Sequence, residues 1–486
     1  MRITPTLRLS LIVLAAAALV SGCAVGPAYQ RPTAPEPAAY KELQGWVPAA
    51  PADALERGPW WTLFKDPLLD ELAGSVEVSN QNVAAAVAAY AQARALVAEQ
   101  RASLFPSLTL NGSGTRSGNK GGGRTTVDSN GTVVGAAGGG ATNTYRLQLG
   151  ASWEPDVWGR LRAGVTAAGA NAQASAADLA SARLSAQGEV ATDYLQLRAV
   201  DAARALLATT IEGYQRELRI VQNRYDVGII PHSDVFQAET QLANAQSDDL
   251  NLARQRAQLE HAIAVLVGKT PAALSIAPVA PGQPQYVFFV PEVPVGVPST
   301  LLQRRPDIAG AERRVLAANE QIGIARSAYY PNIGLNAAYG STASKVSELF
   351  DIGSTAWSFG LSAAQTLFDA GATRARVEGA RAAHEQAVAR YRQTVLTAFA
   401  DVEDQLAATR LLGQQQELQR RASEAADKVE QQVLNRYKAG QVSYSEVVQA
   451  QVTALNARRT LVQTQSTRQT TAVALIQSLG GGWHAD

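Results

Sequence analysis

Residues 145–153, Tyr145-Arg146-Leu147-Gln148-Leu149-Gly150-Ala151-Ser152-Trp153, carry apolar side chains at odd positions and small or polar ones at even positions. That period of two predicts a strand with one apolar face. The pattern returns in Trp357, Phe359, Leu361 and Ala363, set against Ser358, Gly360, Ser362 and Ala364. A shorter alternating segment precedes each: Leu108 and Leu110 in one case, Ile333, Leu335, Ala337 and Tyr339 in the other. Two hairpins are expected, joined through about Gly112–Thr144 and Ser341–Thr355. Elsewhere the period is helical. Leu161 to Tyr225 and Ala372 to Tyr437 contain no proline, and some 65 residues at 1.5 Å each make roughly 100 Å of helix. Leu418, Ala422, Ala425, Val429, Val433 and Tyr437 recur at three and four, as in a coiled-coil seam. Gly228 and Gly440 are placed to stop these helices as C-terminal caps, and return helices are predicted over about Asp234–Gly268 and Ser445–Gly480. A further Ala-rich helical stretch runs from about Pro67 to Ser103, broken at Phe105-Pro106.

The chain is written twice. Asn223-Arg224-Tyr225-Asp226-Val227-Gly228 returns as Asn435-Arg436-Tyr437-Lys438-Ala439-Gly440, an offset of 212 that also relates Val235 to Val447, Gln237 to Gln449, Ala238 to Ala450 and Gly159 to Gly371. Upstream, Leu104-Phe105-Pro106-Ser107-Leu108 returns as Tyr329-Tyr330-Pro331-Asn332-Ile333 at an offset of 225, so 13 extra residues of the first copy fall in one loop. Each copy reads helix, β-hairpin, long helix, turn, return helix. Duplication at this period means two supersecondary units that do not bury their apolar surface alone. The predicted divisions are 1–22, a signal peptide; 23–65, an extended N-terminal segment; 66–270, repeat one; 271–300, a linker; and 301–486, repeat two with a C-terminal segment.

Four strands with an apolar face need a partner sheet, and no other segment supplies one. Strands of about 9–11 residues with long external loops fit an outer-membrane barrel. A bilayer tolerates no open sheet edge, since each unpaired backbone group there costs several kcal/mol. Four strands are too few to close a barrel, the smallest having about eight. Several chains must therefore contribute four strands each, and closure alone leaves two, three or four chains open.

Charge and composition agree. Among 486 residues the formal net charge is +1, and −1 once residues 1–22 are set aside, which excludes a nucleic-acid partner. Charged residues at 17% and aromatics at 6% suit long helices in close contact. Arg2 and Arg8, the apolar run Leu9 to Val20, and Val20-Ser21-Gly22-Cys23 read as a lipoprotein signal. Cys23 is the sole cysteine, so no disulfide forms within one chain, and several acyl chains on it would anchor the protein stably. In enteric bacteria an Asp after the lipidated cysteine favours inner-membrane retention; Ala24 stands here. Beyond that covalent lipid no cofactor or metal is expected. His232, His261, His384 and His484 show no ligand spacing, and Gly118-Asn119-Lys120-Gly121-Gly122-Gly123 lacks the ending of a phosphate loop. No catalytic constellation is present, so no enzyme is expected.

Leu301-Leu302-Gln303-Arg304-Arg305-Pro306-Asp307-Ile308, then Ala311-Glu312-Arg313-Arg314, opens the second copy with a proline and acids suited to a helix start. With Ile322-Gly323-Ile324-Ala325-Arg326, Tyr330-Pro331, Trp158-Gly159-Arg160, and Cys23-Ala24-Val25-Gly26-Pro27 with Tyr29 and Pro32, it resembles the outer membrane factors of bacterial efflux pumps. These are the TolC-like channels, here of the NodT- and OprM-type lipoprotein subfamily. The resemblance covers essentially the whole mature chain. It implies a mainly α fold with a membrane β-barrel: a homotrimer whose 12-stranded barrel, four strands per chain, sits in the outer membrane above a long periplasmic α-helical coiled-coil barrel. It also implies an equatorial belt from residues near 24–60, 270–300 and the C-terminus, and docking to a periplasmic adaptor and an inner-membrane pump.

In that family acidic residues six and nine positions after the turn glycine line the periplasmic constriction. Six after gives Asp234 and Glu446; nine after gives Gln237 and Gln449, so the second acidic ring is missing. Tyr225 and Tyr437 match the turn tyrosine, while Val442 stands where some members place an arginine, leaving Arg224 or Arg436 for any latch. Each acid has a plainer role as well: Ser443 and Glu446 make a capping box, and Asp234 complements the helix dipole. The function expected is a passive outer-membrane exit channel for small molecules. The alternatives are an exit duct for secreted proteins and a non-conducting coiled-coil lipoprotein, against which the alternating strands argue.

Overall fold

The computed structural model describes residues 25–34, 37, 39–42, 59–118, 125–127, 133–136, 141–278, 286–293 and 304–483. The signal segment, Cys23, Ala24, Leu301–Gln303 and His484 lie outside the described residues.

Seven α-helices and six strands appear among those residues. Helices α1 (Pro67–Ser79) and α2 (Gln81–Ala102) lead into β1 (Ser107–Ser117) and β4 (Thr142–Trp153), with β2 (Thr125–Val127) and β3 (Val133–Ala136) between them. The first long helix, α3 (Arg160–Asp226), turns into α4 (His232–Leu266). The second copy repeats the order as α5 (Pro306–Ser327), β5 (Asn332–Ala343), β6 (Thr355–Ala364), α6 (Ala372–Lys438) and α7 (Tyr444–Ser478). Both long helices have 67 residues and both return helices 35. The copies are thus equal in their long and return helices, and the first hairpin leaves 24 residues between its main strands where the second leaves 11, which places the 13-residue difference in one loop.

Two expectations need correction. The stretch predicted as one helix from Pro67 to Ser103 is two, because Asn80 breaks it: its φ/ψ is extended, its Nδ2 donates to Leu266 O at 2.7 Å, and its Oδ1 accepts from the Asn82 and Val83 N–H groups. Residues 112–117, assigned to a loop for their Gly and Ser content, belong to β1, which has 11 residues. Their pairing partners on β4 hold them extended, Gly112 opposite Leu147 through Ser117 opposite Thr142. Local composition reads as loop there, and the ladder overrides it.

The chain forms two compact units that cut across the repeats. One takes residues up to 31, 93–172 and 314–387, hence all the strands; the other takes 32–92, 173–313 and 388–486. Within the first, the sheet order is β1-β4-β5-β6, antiparallel throughout. Residues directly opposite share a face, so the register sorts the side chains. Leu110 faces Leu149, Leu149 faces Tyr339, and Tyr339 faces Trp357; Leu335 faces both Trp153 and Leu361. On the other face Asn111 meets Gln148, Gln148 meets Gly340, and Ser152 meets Asn336. One face is apolar over all four strands, yet Leu110, Trp357, Phe359 and Leu361 are exposed. β1 and β6 each pair on one side only.

In the second unit the repeats keep their symmetry in detail. Gly268 and Gly480, 212 residues apart, follow α4 and α7 with φ of +71° and +96°. A Cβ on Gly268 would stand 2.2 Å from Ser79 O, and one on Gly480 2.0 Å from Arg304 O. Ser79 and Arg304 are themselves equivalent at the offset of 225. Each return helix therefore ends on the backbone of its own copy's first helical segment, a contact only glycine permits. Polar clasps hold the connecting segments. Arg256 bonds Asp201 at 2.7 Å and also Ile276 O, Arg198 donates to Ala277 O at 2.9 Å, and Tyr194 donates to Asp66 at 2.7 Å. Arg305 bonds Asp307, Asp401 and the Ser478 carbonyl, and Glu403 accepts the Lys41 and Glu42 N–H groups.

Candidate functional site: the helical turns

The two helix-to-helix turns lie in the second unit and pack against each other. Gly228 and Gly440 adopt φ of +77° and +72°. Gly228 N–H donates to Tyr225 O and Ile229 N–H to Arg224 O; Gly440 and Gln441 do the same to Tyr437 and Arg436. These paired bonds are Schellman caps, which satisfy the last carbonyls of α3 and α6 and let the chain reverse. Beneath them Val221, Val235 and Ala238 of the first copy bury against Tyr437, Tyr444 and Val447 of the second.

The predicted site residues separate by environment. Glu446 makes the capping box, with Ser443 N–H donating to its Oε1 at 3.4 Å, and its side chain is exposed. Asp234 is half-buried in the first turn of α4, with the Ser233 hydroxyl 3.4 Å from its Oδ1. Gln237 and Gln449 are exposed one turn further along. The two turn tyrosines, equivalent in sequence, are not equivalent in space. Tyr437 is buried at 8% exposure with its ring 5.4 Å from Tyr444 and under the Arg224 guanidinium at 5.1 Å, and its hydroxyl has no hydrogen-bond partner among the described residues. Tyr225 is 37% exposed and stacks on His232 at 4.5 Å. Of the two arginines considered for a latch, Arg224 reaches across to the other copy and Arg436 stays exposed.

Sequence reasoning missed two features. His232, read as isolated, lies between Tyr225 and Phe236, the latter at 4.2 Å. Its i,i+4 relation to Phe236 was visible in the sequence; the stack across the turn was not. The second is Gln451, 4% exposed, whose Nε2 donates to both carboxylate oxygens of Glu217 at 2.7 Å, tying α3 to α7. Burial pushes the Glu217 carboxyl above its ordinary range, Glu430 adds to this, and the Gln451 hydrogen bond opposes it. Among the described residues no group of His, Cys, Asp and Glu could hold a metal ion, and no helix is long and apolar enough to cross a membrane.

The family model described as outer membrane efflux protein matches residues 72–269 and 297–481. The antibiotic efflux pump outer membrane protein ArpC of Pseudomonas putida is 32% identical over 98% of this chain and 96% of its own length. The cation efflux system protein CusC of Escherichia coli is 29% identical over 97% and 98%. The solved structure of the outer-membrane channel OprN matches with a TM-score of 0.83 and 28% identity, covering 95% of this chain and 100% of that one. The expected fold class, a mainly α chain giving four strands to a membrane barrel, is the fold of these channels. A sheet with one apolar face, two matched helical hairpins and homology along nearly the whole chain lead to one conclusion: the protein belongs to the outer membrane efflux proteins and is an efflux channel of the outer membrane, extending into the periplasm.

Proposed function

We propose that three chains close a single duct, a barrel of 12 strands continued by a tunnel of 12 helices, which passively conducts small molecules delivered by a periplasmic adaptor and an inner-membrane pump of the RND type. The observation that carries this reading is the four-stranded sheet whose apolar face is exposed and whose outer strands β1 and β6 are paired on one side only. An open sheet of that kind is stable in a bilayer only once closed by further copies. Membership of the efflux family supports the adaptor and pump as partners. Cys23 carries the lipid in this reading, giving the chain a second hold on the membrane besides the barrel.

The turns form the periplasmic gate, with Asp234 and Glu446 as its acidic rim, Gln237 and Gln449 neutral behind them, and Tyr225 and Tyr437 beside Gly228 and Gly440. Copies of the acids drawn together about the duct axis would narrow the entrance and favour cations. The capping role of Glu446 is compatible, since its carboxylate is exposed. Native mass spectrometry gives the stoichiometry, and single-channel recording in a planar bilayer tests the gate. The wild type is expected to show a small conductance that rises several-fold in Asp234→Ala/Glu446→Ala. An unchanged conductance leaves the channel but reduces both acids to helix caps; no conductance from folded, inserted protein would falsify the duct.

A further inference from the structure

At the periplasmic end of the sheet, where β5 begins and β6 leads into α6, a cleft of about 480 Å³ opens within the strand-bearing unit. Arg326 and Tyr329 reach it from the end of α5, Arg374 and Arg381 from the first turns of α6, and Val25 from the N-terminal segment. Its charge is uneven. Arg374 is paired with Glu378, also on the wall, at 2.9 Å. Arg326 and Arg381 have no ion-pair partner among the described residues, so the cleft keeps two uncompensated guanidinium groups. Three arginines against one carboxylate, in a chain of nearly zero net charge, is a local excess that the helices do not need.

The surroundings of the cleft say what such an excess would meet. In the link between β6 and α6, which leads from the sheet to the helix lining the cleft, Leu367 and Phe368 are 91% and 87% exposed. Phe105 is 70% exposed at the equivalent end of β1. Tyr330, on the cleft wall, stacks on Trp158 at 4.8 Å, and the Trp158 indole N–H donates to Pro331 O at 2.7 Å, holding both rings at this level. Exposed apolar side chains at the end of the sheet, stacked aromatic rings and free arginines beside them have the composition of a membrane–water interface. In a bilayer, acyl chains would meet Leu367 and Phe368 and headgroup phosphates would meet Arg326 and Arg381. The N-terminal segment reaches the same place: Val25 N–H donates to Trp158 O at 3.5 Å, and Gly26 packs on Gly323 of α5. Residue 23 is two residues further on, at most about 7 Å of chain.

We propose that this cleft binds the phosphodiester headgroup of a phospholipid in the inner leaflet of the outer membrane, with Arg326 and Arg381 donating to the phosphate oxygens. Guanidinium groups suit this ligand because their planar donors match phosphate oxygens two at a time. Basic pockets at the membrane boundary hold anionic headgroups by the same physics. The site fixes the height of the channel in the bilayer beside the N-terminal anchor. The inference rests on the strands spanning the membrane, and the conductance of the same preparation checks that separately.

The test is native mass spectrometry of the delipidated full-length assembly titrated with phosphatidylglycerol in detergent, comparing wild type with Arg326→Gln/Arg381→Gln. Binding is expected to weaken about tenfold in the variant, with conductance and assembly mass unchanged. Arg254→Gln/Arg421→Gln, which removes two exposed arginines elsewhere, is expected to bind as the wild type does. Arg381→Gln alone, at an exposed helix position, is expected to weaken binding and serves if the double variant fails to assemble. Equal binding by wild type and both cleft variants overturns the proposal, as does an equal loss in the distant pair. Inorganic phosphate is added in a further arm. Its failure to displace the lipid at millimolar concentration supports a membrane ligand, and displacement as effective as by phosphatidylglycerol overturns the lipid assignment.

Discussion

At the residue scale, duplication makes natural controls. Tyr225 and Tyr437 occupy the same sequence position, but only Tyr437 buries a hydroxyl without a hydrogen-bond partner. A buried unsatisfied hydroxyl costs about 1–3 kcal/mol. Tyr437→Phe is therefore expected to leave thermal stability unchanged or raise Tm slightly, whereas Tyr437→Ala, which empties the site beneath Arg224, should lower it; calorimetry on the two variants decides. Asp193 on α3 has its carboxyl pushed up to about 6, chiefly by burial and further by Glu189. The sign follows from linkage: the folded chain holds this proton more tightly than the unfolded one. Its contribution is thus fully favourable below about 4 and is lost as pH rises through about 6. Asp193→Asn should flatten this part of the stability profile, read as Tm against pH from 3.5 to 7. The Glu189–Asp193 pair, four apart on one helix, was legible in the sequence; the burial of Asp193 and of Tyr437 was not, because burial depends on how whole segments pack.

At the scale of elements, the glycines that follow the helices divide into two kinds. Gly228 and Gly440 have positive φ but open space around the absent side chain. Alanine there carries only the cost of a left-handed residue, about 1–2 kcal/mol. Gly268 and Gly480 have positive φ and a carbonyl oxygen within 2.2 Å of where a Cβ would stand. Gly268→Ala must displace backbone as well, so it should destabilise clearly more than Gly228→Ala, and comparative thermal denaturation of the two would show it. Equal losses would mean that the backbone of α1 yields easily. The sequence made the four helix ends legible, since a glycine after a long proline-free periodic run is a local signal. Which pair is sterically closed was not legible, because Ser79 and Arg304 arrive from the other end of each copy.

For the whole molecule, the exposed apolar face of β1-β4-β5-β6 is the feature that demands other copies and a bilayer. Purified protein should run as a trimer by native mass spectrometry, and a charge placed in the apolar face, as in Leu149→Arg, should reduce assembled channel in the outer membrane. The depth-dependent cost of arginine on a lipid face is about 2–4 kcal/mol at the midplane. The sequence by itself determined the elements: period two for the strands, period 3.6 for the helices, glycine at their ends, and a repeat that makes two of each. The periods and caps rest on relations between residues a few positions apart, and the repeat on likeness between two stretches of sequence, so all are present before folding. Only the tertiary structure decided that β4 pairs with β5 across the repeats, that the compact units mix halves of both copies, and that Tyr437 is covered while Tyr225 is not. These outcomes are contacts between segments hundreds of residues apart, selected by which apolar surfaces can be buried together, and no local pattern encodes that choice.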